Sequence, residues 1–352
     1  MLVRSHHQKS CICHFDGFKD LLIGRVLFHL TADICIKYGR SLLSRGFATD
    51  NLVAANSPVL QKKLRAQAAG DFRINSLIKI PSQIGRSGQP RANGRVDIAT
   101  KKLDGDTKLA RLHQSGSFKC LFPRVANKAF EAILLNTAGG VTGGDRFSFT
   151  ADVGAESKLT VSTQAFERAY RAQPGETAKM NNRLHVGRGA RINWLPQETL
   201  LFNGSSLERQ LLIELQAGAS ALVVEPLVFG RAAMGEKLSG VFFKDRIEIR
   251  RAGKPLYLDA LKLGGQLCEH LASKFIANGA GAMASLVYVA NDATAHLASI
   301  RAILPETAGA SLLFDDVLVV RVLAEDSFEL RQTLIPVLTR LHGGDLPRCW
   351  II

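Results

Sequence analysis

The chain has 352 residues, of which 46% are hydrophobic and 22% charged, and its formal net charge is +14. This length suits one large domain or two ordinary ones, and the hydrophobic content is typical of a globular protein. The positive charge favours an acidic partner, but only 7% of the residues are aromatic and no run of five basic residues occurs. Charge spread in this way argues against a nucleic-acid-binding module, so no nucleic-acid partner is expected.

The cysteines and the apolar segments also limit the class of protein. Three of the six cysteines lie within the first 35 residues, a spacing unlike a disulfide framework. The segment Cys11 to His14 resembles half of a metal site, but no second ligand pair follows at zinc-finger spacing. No stretch reaches the roughly 18 uninterrupted apolar residues that a membrane-spanning helix needs. We therefore expect a cytoplasmic protein without a membrane partner.

The first 70 residues differ from the rest of the chain. They lack clear alternation of apolar and polar residues and carry ten Lys and Arg against four Asp and Glu. Residues 50–95 are polar and rich in turn-forming residues, which is typical of a linker. We interpret residues 1–70 as an N-terminal extension, either poorly ordered or translated upstream of a later true start. Residues 71–352 are interpreted as a β domain.

From Gly94 onward, one strand pattern follows another. Strand patterns at 95–100 and 108–114 flank a turn at Asp104-Gly105-Asp106. A weak repeat then begins, in which a glycine- and alanine-containing turn precedes a strand at 153–162, 187–195 and 217–225. Strands that recur in this way indicate stacked coils. The sequence predicts a mostly-β fold, a large β-solenoid-like or sandwich-like single domain with a few helices near the C-terminus.

Two helices are predicted, both late in the chain. The first is expected within residues 264–280, where Leu267, Leu271 and Phe275 recur at a spacing of four. The second begins after Asp326, which can cap it, with Glu329 completing a capping-box pattern. Pro336 is expected to kink or shorten this helix, and Gly343 to end it. Its apolar face and the tail 346–352 are expected to be covered, either by the protein's own sheet or by a partner.

The segment 136–146 reads Asn-Thr-Ala-Gly-Gly-Val-Thr-Gly-Gly-Asp-Arg and contains the most specific local signal. Its four glycines indicate a loop of defined shape, and a strand pattern lies on either side of it. A phosphate-binding loop needs a Lys and a following helix, whereas Asp145 here would repel a phosphate. Nucleotide binding is therefore disfavoured, and a structural hairpin with two tight turns remains the simpler alternative.

Several carboxylates lie beside predicted strands rather than in charged loops: Asp145, Glu167, Glu198, Glu225, Glu236 and Asp259. Carboxylates that line a polar cavity can pass a divalent ion and release it again. Separate salt bridges with the abundant arginines are the alternative, which the residues alone favour. A rival hypothesis is an enzyme that uses Asp145 and Glu198 as an acid–base pair, which requires both carboxylates in one cleft with divergent pKa values.

Five segments, in this order, resemble the family of the urease accessory protein UreD, also called UreH: residues 139–146, 163–171, 194–199, 228–236 and 346–350. The similarity runs from about residue 92 to the end, so the first 70 residues have no counterpart. Thr142 stands where valine is more usual. The motif residues singled out are Gly139, Gly140, Gly143, Gly144, Asp145, Arg146, Gln197, Glu198, Gly230, Arg231, Gly235 and Glu236.

This resemblance implies a non-catalytic scaffold rather than an enzyme. It implies that the chain binds UreF and, through it, the GTPase UreG, and that the complex docks on the subunits of apo-urease so that nickel reaches the active site. It also implies no tightly bound cofactor, since nickel would move only transiently through a water-filled passage. Asp145, Glu198 and Asp259 are the residues predicted to meet the ion.

Overall fold

The structure is a computed structural model that describes residues 89–124 and 130–351. These residues belong to one unit of internally contacting chain, Gln89–Ile352. The N-terminal extension expected over residues 1–70, and its boundary with the β domain, lie outside the described residues.

Seventeen strands form in this part of the chain, with bounds that follow the alternating patterns of the sequence. In chain order they are β1 (Asn93–Leu103), β2 (Asp106–Gly116), β3 (Phe118–Leu121), β4 (Glu131–Asn136), β5 (Arg146–Val153), β6 (Lys158–Thr163), β7 (Glu167–Ala169), β8 (Ala178–Val186), β9 (Arg191–Leu195), β10 (Thr199–Leu201), β11 (Ser206–Leu215), β12 (Ser220–Phe229), β13 (Val241–Arg251), β14 (Lys254–Gly265), β15 (Ala282–Val289), β16 (Ala308–Phe314) and β17 (Val317–Ala324).

The described residues contain four α-helices, which all lie in the C-terminal quarter of the chain: α1 (Leu267–Ala272), α2 (Ala293–Arg301), α3 (Ser327–His342) and α4 (Arg348–Ile351). A 3₁₀ turn forms at Ala232–Met234. No helix in the described ranges combines the length and the apolar character that crossing a membrane requires.

The strands form two sheets. The seven-stranded sheet has the order β14-β13-β11-β8-β5-β1-β2, and the larger sheet has the order β16-β17-β15-β12-β9-β6-β4-β3, with β10 beside β12 and β7 beside β10. The strands from β1 to β13 in the smaller sheet and from β4 to β12 in the larger one are parallel neighbours, for example β5 with β8 and β6 with β9. From β4 to β13 the chain passes repeatedly from one sheet to the other, which confirms the predicted β-solenoid-like, mostly-β fold.

The weak sequence repeat corresponds to stacked coils. Lys158, Arg191 and Ser220 begin the three repeated strands and are paired in register across the larger sheet. The turns before them stack as well, and Gly187 shows why glycine recurs there. A Cβ atom at this position would lie 2.8 Å from the backbone nitrogen of Ala155, closer than any side chain permits.

Two apolar layers hold the domain together. One lies between the two sheets and includes Phe149 and Trp194, whose rings stack with centroids 5.6 Å apart. The other lies between the larger sheet and α3, where Leu222 and Val224 of β12 pack with Leu334. Because strand β12 contributes to both layers, it reads as a nearly continuous apolar run rather than as an alternating one.

Helix α3 begins and ends at the residues that the sequence predicts. The Asp326 side chain accepts a hydrogen bond from the backbone nitrogen of Glu329 at 2.9 Å, and Gly343 ends the helix with a φ of 72°. The helix continues through Pro336, so the expected shortening does not occur. Pro336 and Gln332 are exposed, and water can therefore hydrate the carbonyl that the proline leaves unpaired. The apolar face is covered by the protein's own sheet.

Helix α1 is shorter than the sequence pattern predicts. Leu267 and Leu271 are buried, but the helix ends at Ala272 and Phe275 is 94% exposed. Ser273 takes an extended conformation, and its carbonyl accepts backbone hydrogen bonds from the turn that follows. The helix therefore ends before the apolar spacing of four does, because the turn at Ser273 stops it.

Candidate functional site

The glycine loop 136–146 joins β4 of the larger sheet to β5 of the smaller one. Gly139, Gly140 and Gly144 all have positive φ. A Cβ atom at Gly140 would lie 2.4 Å from the ring of Tyr170 and 2.6 Å from the carbonyl oxygen of Arg168. The glycine is therefore required by the close approach of the β7 segment. A strand follows the loop, as predicted, which agrees with the argument against a phosphate-binding loop.

Asp145 fixes the shape of this loop. Its two carboxylate oxygens accept hydrogen bonds from the backbone nitrogens of Ala92 and Thr142, each at 2.8 Å, and the side chain is buried. Arg146 opens β5 with an exposed side chain. The carboxylate thus joins the loop to the segment that leads into β1, which is the turn-capping behaviour expected of an aspartate. Its contact with nickel remains a prediction.

A cavity of about 240 Å³ lies between the sheets beside the glycine loop. Its wall combines apolar side chains with a few polar ones, an arrangement typical of binding sites. Gly139, Gly140 and Gln197 of the predicted motif residues border it. The titratable residues on its wall are Glu167, Arg168, Arg209 and Glu225.

Glu167 is tied to the glycine loop through Asn136. The Asn136 side-chain nitrogen donates to both carboxylate oxygens of Glu167, at 3.1 and 3.2 Å, and to the carbonyl of Gly140 at 2.9 Å. Burial raises the pKa of Glu167 to about 7, partly offset by the Asn136 hydrogen bond and increased slightly by the charge of Asp145. The cavity thus holds a carboxyl group that changes its charge near neutral pH.

A buried charge cluster continues from the cavity. The Arg209 guanidinium donates to both carboxylate oxygens of Asp245, at 2.6 and 3.0 Å, and its Nη1 lies 2.6 Å from Oε2 of Glu225. The Trp194 indole donates to the other Glu225 oxygen at 2.7 Å. Burial is the main cause that raises the pKa of Glu225. Arg209 also donates to the hydroxyl of Thr199 at 3.0 Å, and so connects the cluster to β10.

The cluster belongs to a longer series of polar side chains. Thr199 is the strand partner of Glu167 on one side, and Ser285 is the strand partner of Glu225 on the other. The Ser285 hydroxyl donates to Asp259 at 3.1 Å, and Arg321 donates to the same oxygen at 2.7 Å. We call this series the polar row: Glu167, Thr199, Arg209, Glu225, Asp245, Ser285, Asp259 and Arg321.

The polar row crosses the interior and reaches the surface. At one end it borders the cavity beside the glycine loop. At the other end the side chains of Asp259 and Arg321 are 20% and 43% exposed. Asp259, predicted from sequence as an ion contact, therefore lies on the row, while Asp145 lies outside it within its own loop.

Glu198 has a different environment. It is fully buried, and Nη1 of Arg331 on α3 lies 3.3 Å from both carboxylate oxygens. Burial raises the pKa of Glu198, and the charge of Arg331 counteracts the rise. Arg331 also donates to Gln197 and to the carbonyls of Cys349 and Trp350. This carboxylate thus connects the larger sheet to α3 and the C-terminal tail.

The fourth motif, 228–236, ends in a surface turn over residues 230–236. Glu236 accepts hydrogen bonds from the Arg231 side chain, at 2.9 Å, and from the backbone nitrogen of Asn203, and its pKa is lowered chiefly by Arg231. Gly230 and Gly235 have positive φ. The Arg231 guanidinium lies 4.5 Å from the ring centroid of Phe202, which contacts Tyr170 edge-on. Since Tyr170 touches Gly140, this turn lies on the cavity side of the domain.

The three residues predicted to meet nickel are thus placed at separate points. Within the described ranges no group of three or more His, Cys, Asp or Glu side chains is arranged to hold a metal ion. The sequence analysis did not identify Arg209, Asp245 and Asn136. A signal existed for the first two, because Arg209 alternates with buried Leu207 and Leu211, and Asp245 with buried Phe243 and Ile247. Asn136 gave no comparable signal.

Comparison with known proteins assigns the chain to a family. A family model described as the UreD urease accessory protein matches residues 92–350. A urease accessory protein UreD from Ruegeria pomeroyi is 60% identical over 257 residues, which cover 73% of this chain and 100% of that protein. One from Roseobacter denitrificans is 48% identical, covering 74% and 96%, and one from Rhizobium rhizogenes is 40% identical, covering 74% and 95%. The resemblance read from the five motifs is confirmed, and the chain belongs to the UreD urease accessory protein family.

Proposed function

We propose that this chain is a urease maturation factor, a non-catalytic scaffold in the cytoplasm that docks with UreF and UreG on apo-urease. In this role it passes nickel, its cargo, along the polar row between the two sheets. Family membership supports the role in urease maturation. The observation that carries the nickel path is the polar row, whose members are linked by strand pairing, ion pairs and hydrogen bonds from the cavity at Glu167 to the surface at Asp259.

The chemistry of the row suits transfer rather than storage. Each carboxylate is one hard oxygen donor group, and such donors bind a divalent ion loosely when they act singly. The carboxylates already pair with protein donors, Asp245 with Arg209 and Asp259 with Arg321. An ion that enters the row has to compete with these donors at every step. No carboxylate then holds it tightly, and none is left unpaired after it has gone.

The glycine loop and the surface turn 230–236 give this end of the domain a fixed shape. The loop is fixed by Asp145, and the turn is fixed by the Arg231–Glu236 ion pair. Rigid backbone around a cavity mouth favours a defined junction with another protein, because little conformational freedom is lost on docking. We assign the cavity end of the row to the junction through which nickel enters or leaves.

The Glu167→Gln variant tests the path. The change removes the charge that would meet the ion and keeps the size of the side chain, so we expect urease matured with this variant to contain clearly less nickel. Assembly with UreF and UreG should be unchanged, as measured by co-purification. The matched control is Glu208→Gln, which alters a carboxylate on the outer face of the smaller sheet. Normal nickel content with the Glu167→Gln chain would refute the path.

A further inference from the structure

Arg209 lies in the middle of the polar row, where a cation would have to pass. Its guanidinium touches carboxylates of two strands from opposite sheets, Asp245 of β13 and Glu225 of β12. The three side chains are all buried, with exposures of 4 to 7%. The short contacts, 2.6 Å to each carboxylate, show that the guanidinium fills the space between them.

The pairing is unequal. Asp245 receives two hydrogen bonds in the bidentate geometry that suits a guanidinium. Oε2 of Glu225 lies 2.6 Å from Nη1, yet it accepts no aligned hydrogen bond from any described residue. The guanidinium thus holds this oxygen by charge and without an aligned hydrogen bond, which is a weaker hold than the bidentate one on Asp245. Gln197, on the wall of the same cavity, likewise has a buried side-chain nitrogen without a partner in the described chain.

We propose that Arg209 determines how strongly the row binds a divalent cation, because its guanidinium occupies the place between Glu225 and Asp245 that the ion would otherwise take. This inference rests on the proposed function and adds a mechanism of release to it. Two carboxylates from opposite sheets would form a site that retains a divalent ion. With Arg209 between them, the ion must displace a resident charge to enter, and the guanidinium returns when the ion moves on.

The geometry explains why an arginine suits this position better than a lysine. A guanidinium presents several donors in a plane, and it can contact Asp245, Glu225 and the Thr199 hydroxyl at once. A lysine side chain is shorter and ends in a compact ammonium group, which would pair fully with only one carboxylate. The other carboxylate would then be available to a metal ion.

The test measures binding of Ni²⁺ alone to the purified full-length chain by equilibrium dialysis. The Arg209→Met variant keeps an unbranched side chain but removes the charge. We expect it to retain one additional Ni²⁺ per chain, bound at least about tenfold more tightly than by the wild-type chain, since ligand charge sets affinity at oxygen sites. The triple variant Arg209→Met/Glu225→Gln/Asp245→Asn is the matched control, and it should lose the additional ion.

Equal Ni²⁺ retention by the folded Arg209→Met variant and the wild-type chain would overturn the proposal. If the Arg209→Met variant does not fold, the Arg209→Lys variant replaces it. A Ni²⁺ affinity of the Arg209→Lys variant equal to that of the wild-type chain would also overturn the proposal. The two failures can be told apart, because the dialysis experiment requires no urease. Normal nickel content in urease matured with the Glu167→Gln chain would refute the nickel path. Equal Ni²⁺ retention by the Arg209→Met and wild-type chains would refute only the role of Arg209.

Discussion

The two buried layers of this domain differ in chemistry. Between the larger sheet and α3, the interior is mostly apolar, with Leu222, Leu334 and Leu338 among its members, and it holds one buried ion pair, Glu198 with Arg331. Between the two sheets, the apolar core is interrupted by the charged side chains of the polar row. Buried ion pairs contribute little net stability compared with apolar side chains of similar volume. The layer between the larger sheet and α3 thus stabilises the fold mainly through apolar packing. The layer between the two sheets retains charges that stability alone does not require.

The largest effect is expected from a variant that disrupts the buried charge cluster between the two sheets. In the Asp245→Asn variant, Arg209 stays buried with Glu225 as its remaining charged partner. The free energy of unfolding should therefore fall by about 3–5 kcal/mol. Denaturant unfolding followed by circular dichroism measures it. Replacing Arg209, Glu225 and Asp245 together by Met, Met and Leu should regain most of this loss but deliver no nickel. A loss below about 1 kcal/mol for Asp245→Asn would contradict the account.

The aliphatic layer gives the matched comparison. Leu334 is fully buried on α3, and the Leu334→Ala variant should lose about 2–5 kcal/mol through lost apolar contact and the cavity that remains. Gln332→Ala on the exposed face of the same helix is the control and should change little. Because no part of the polar row is touched, the surviving folded Leu334→Ala chain should still support normal nickel delivery. Impaired delivery by that folded protein would mean that the two layers are not functionally separate.

A smaller effect concerns pH. The pKa of Glu167 is raised to about 7 from an ordinary 4.5, so the folded chain holds a proton that the unfolded chain releases. Ionisation of Glu167 opposes folding. This unfavourable contribution is absent below pH 4.5, grows as the pH rises, and is complete above about pH 7. We expect wild-type stability relative to the Glu167→Gln variant to fall by about 1–3 kcal/mol between about pH 5 and pH 8. A difference that is independent of pH would show that Glu167 is not buried as described.

Much of the fold could be predicted because its signals are local. The alternation of Phe147, Phe149 and Val153 identified an inward face of β5, and all three residues are buried. The caps of α3 were equally readable, since Asp326 and Glu329 act within a single turn. The end of α1 was not, because the turn after Ser273 ends the helix although the apolar spacing continues to Phe275.

The candidate site was harder to predict because its contacts are not local. Glu167 was noted as an acidic residue beside a strand, but its partner Asn136 lies 31 residues earlier in the chain. Arg209 and Asp245 are 36 residues apart and meet only because β11 and β13 are parallel neighbours. Asp145, Glu198 and Asp259 were grouped through resemblance, whereas the coil places them at three separate points of the domain. A single sequence shows which residues point inward but not which of them meet.

The central claim is that the polar row carries nickel from one end to the other, and its far end provides the most direct test. The nickel content of urease should be measured after maturation with the Asp259→Asn chain. Asp316→Asn is the control, because it alters a surface carboxylate paired with Arg251 away from the row. The account predicts reduced nickel with Asp259→Asn, as with Glu167→Gln, and normal nickel with Asp316→Asn. Normal nickel content with the Asp259→Asn chain would contradict a path through the domain.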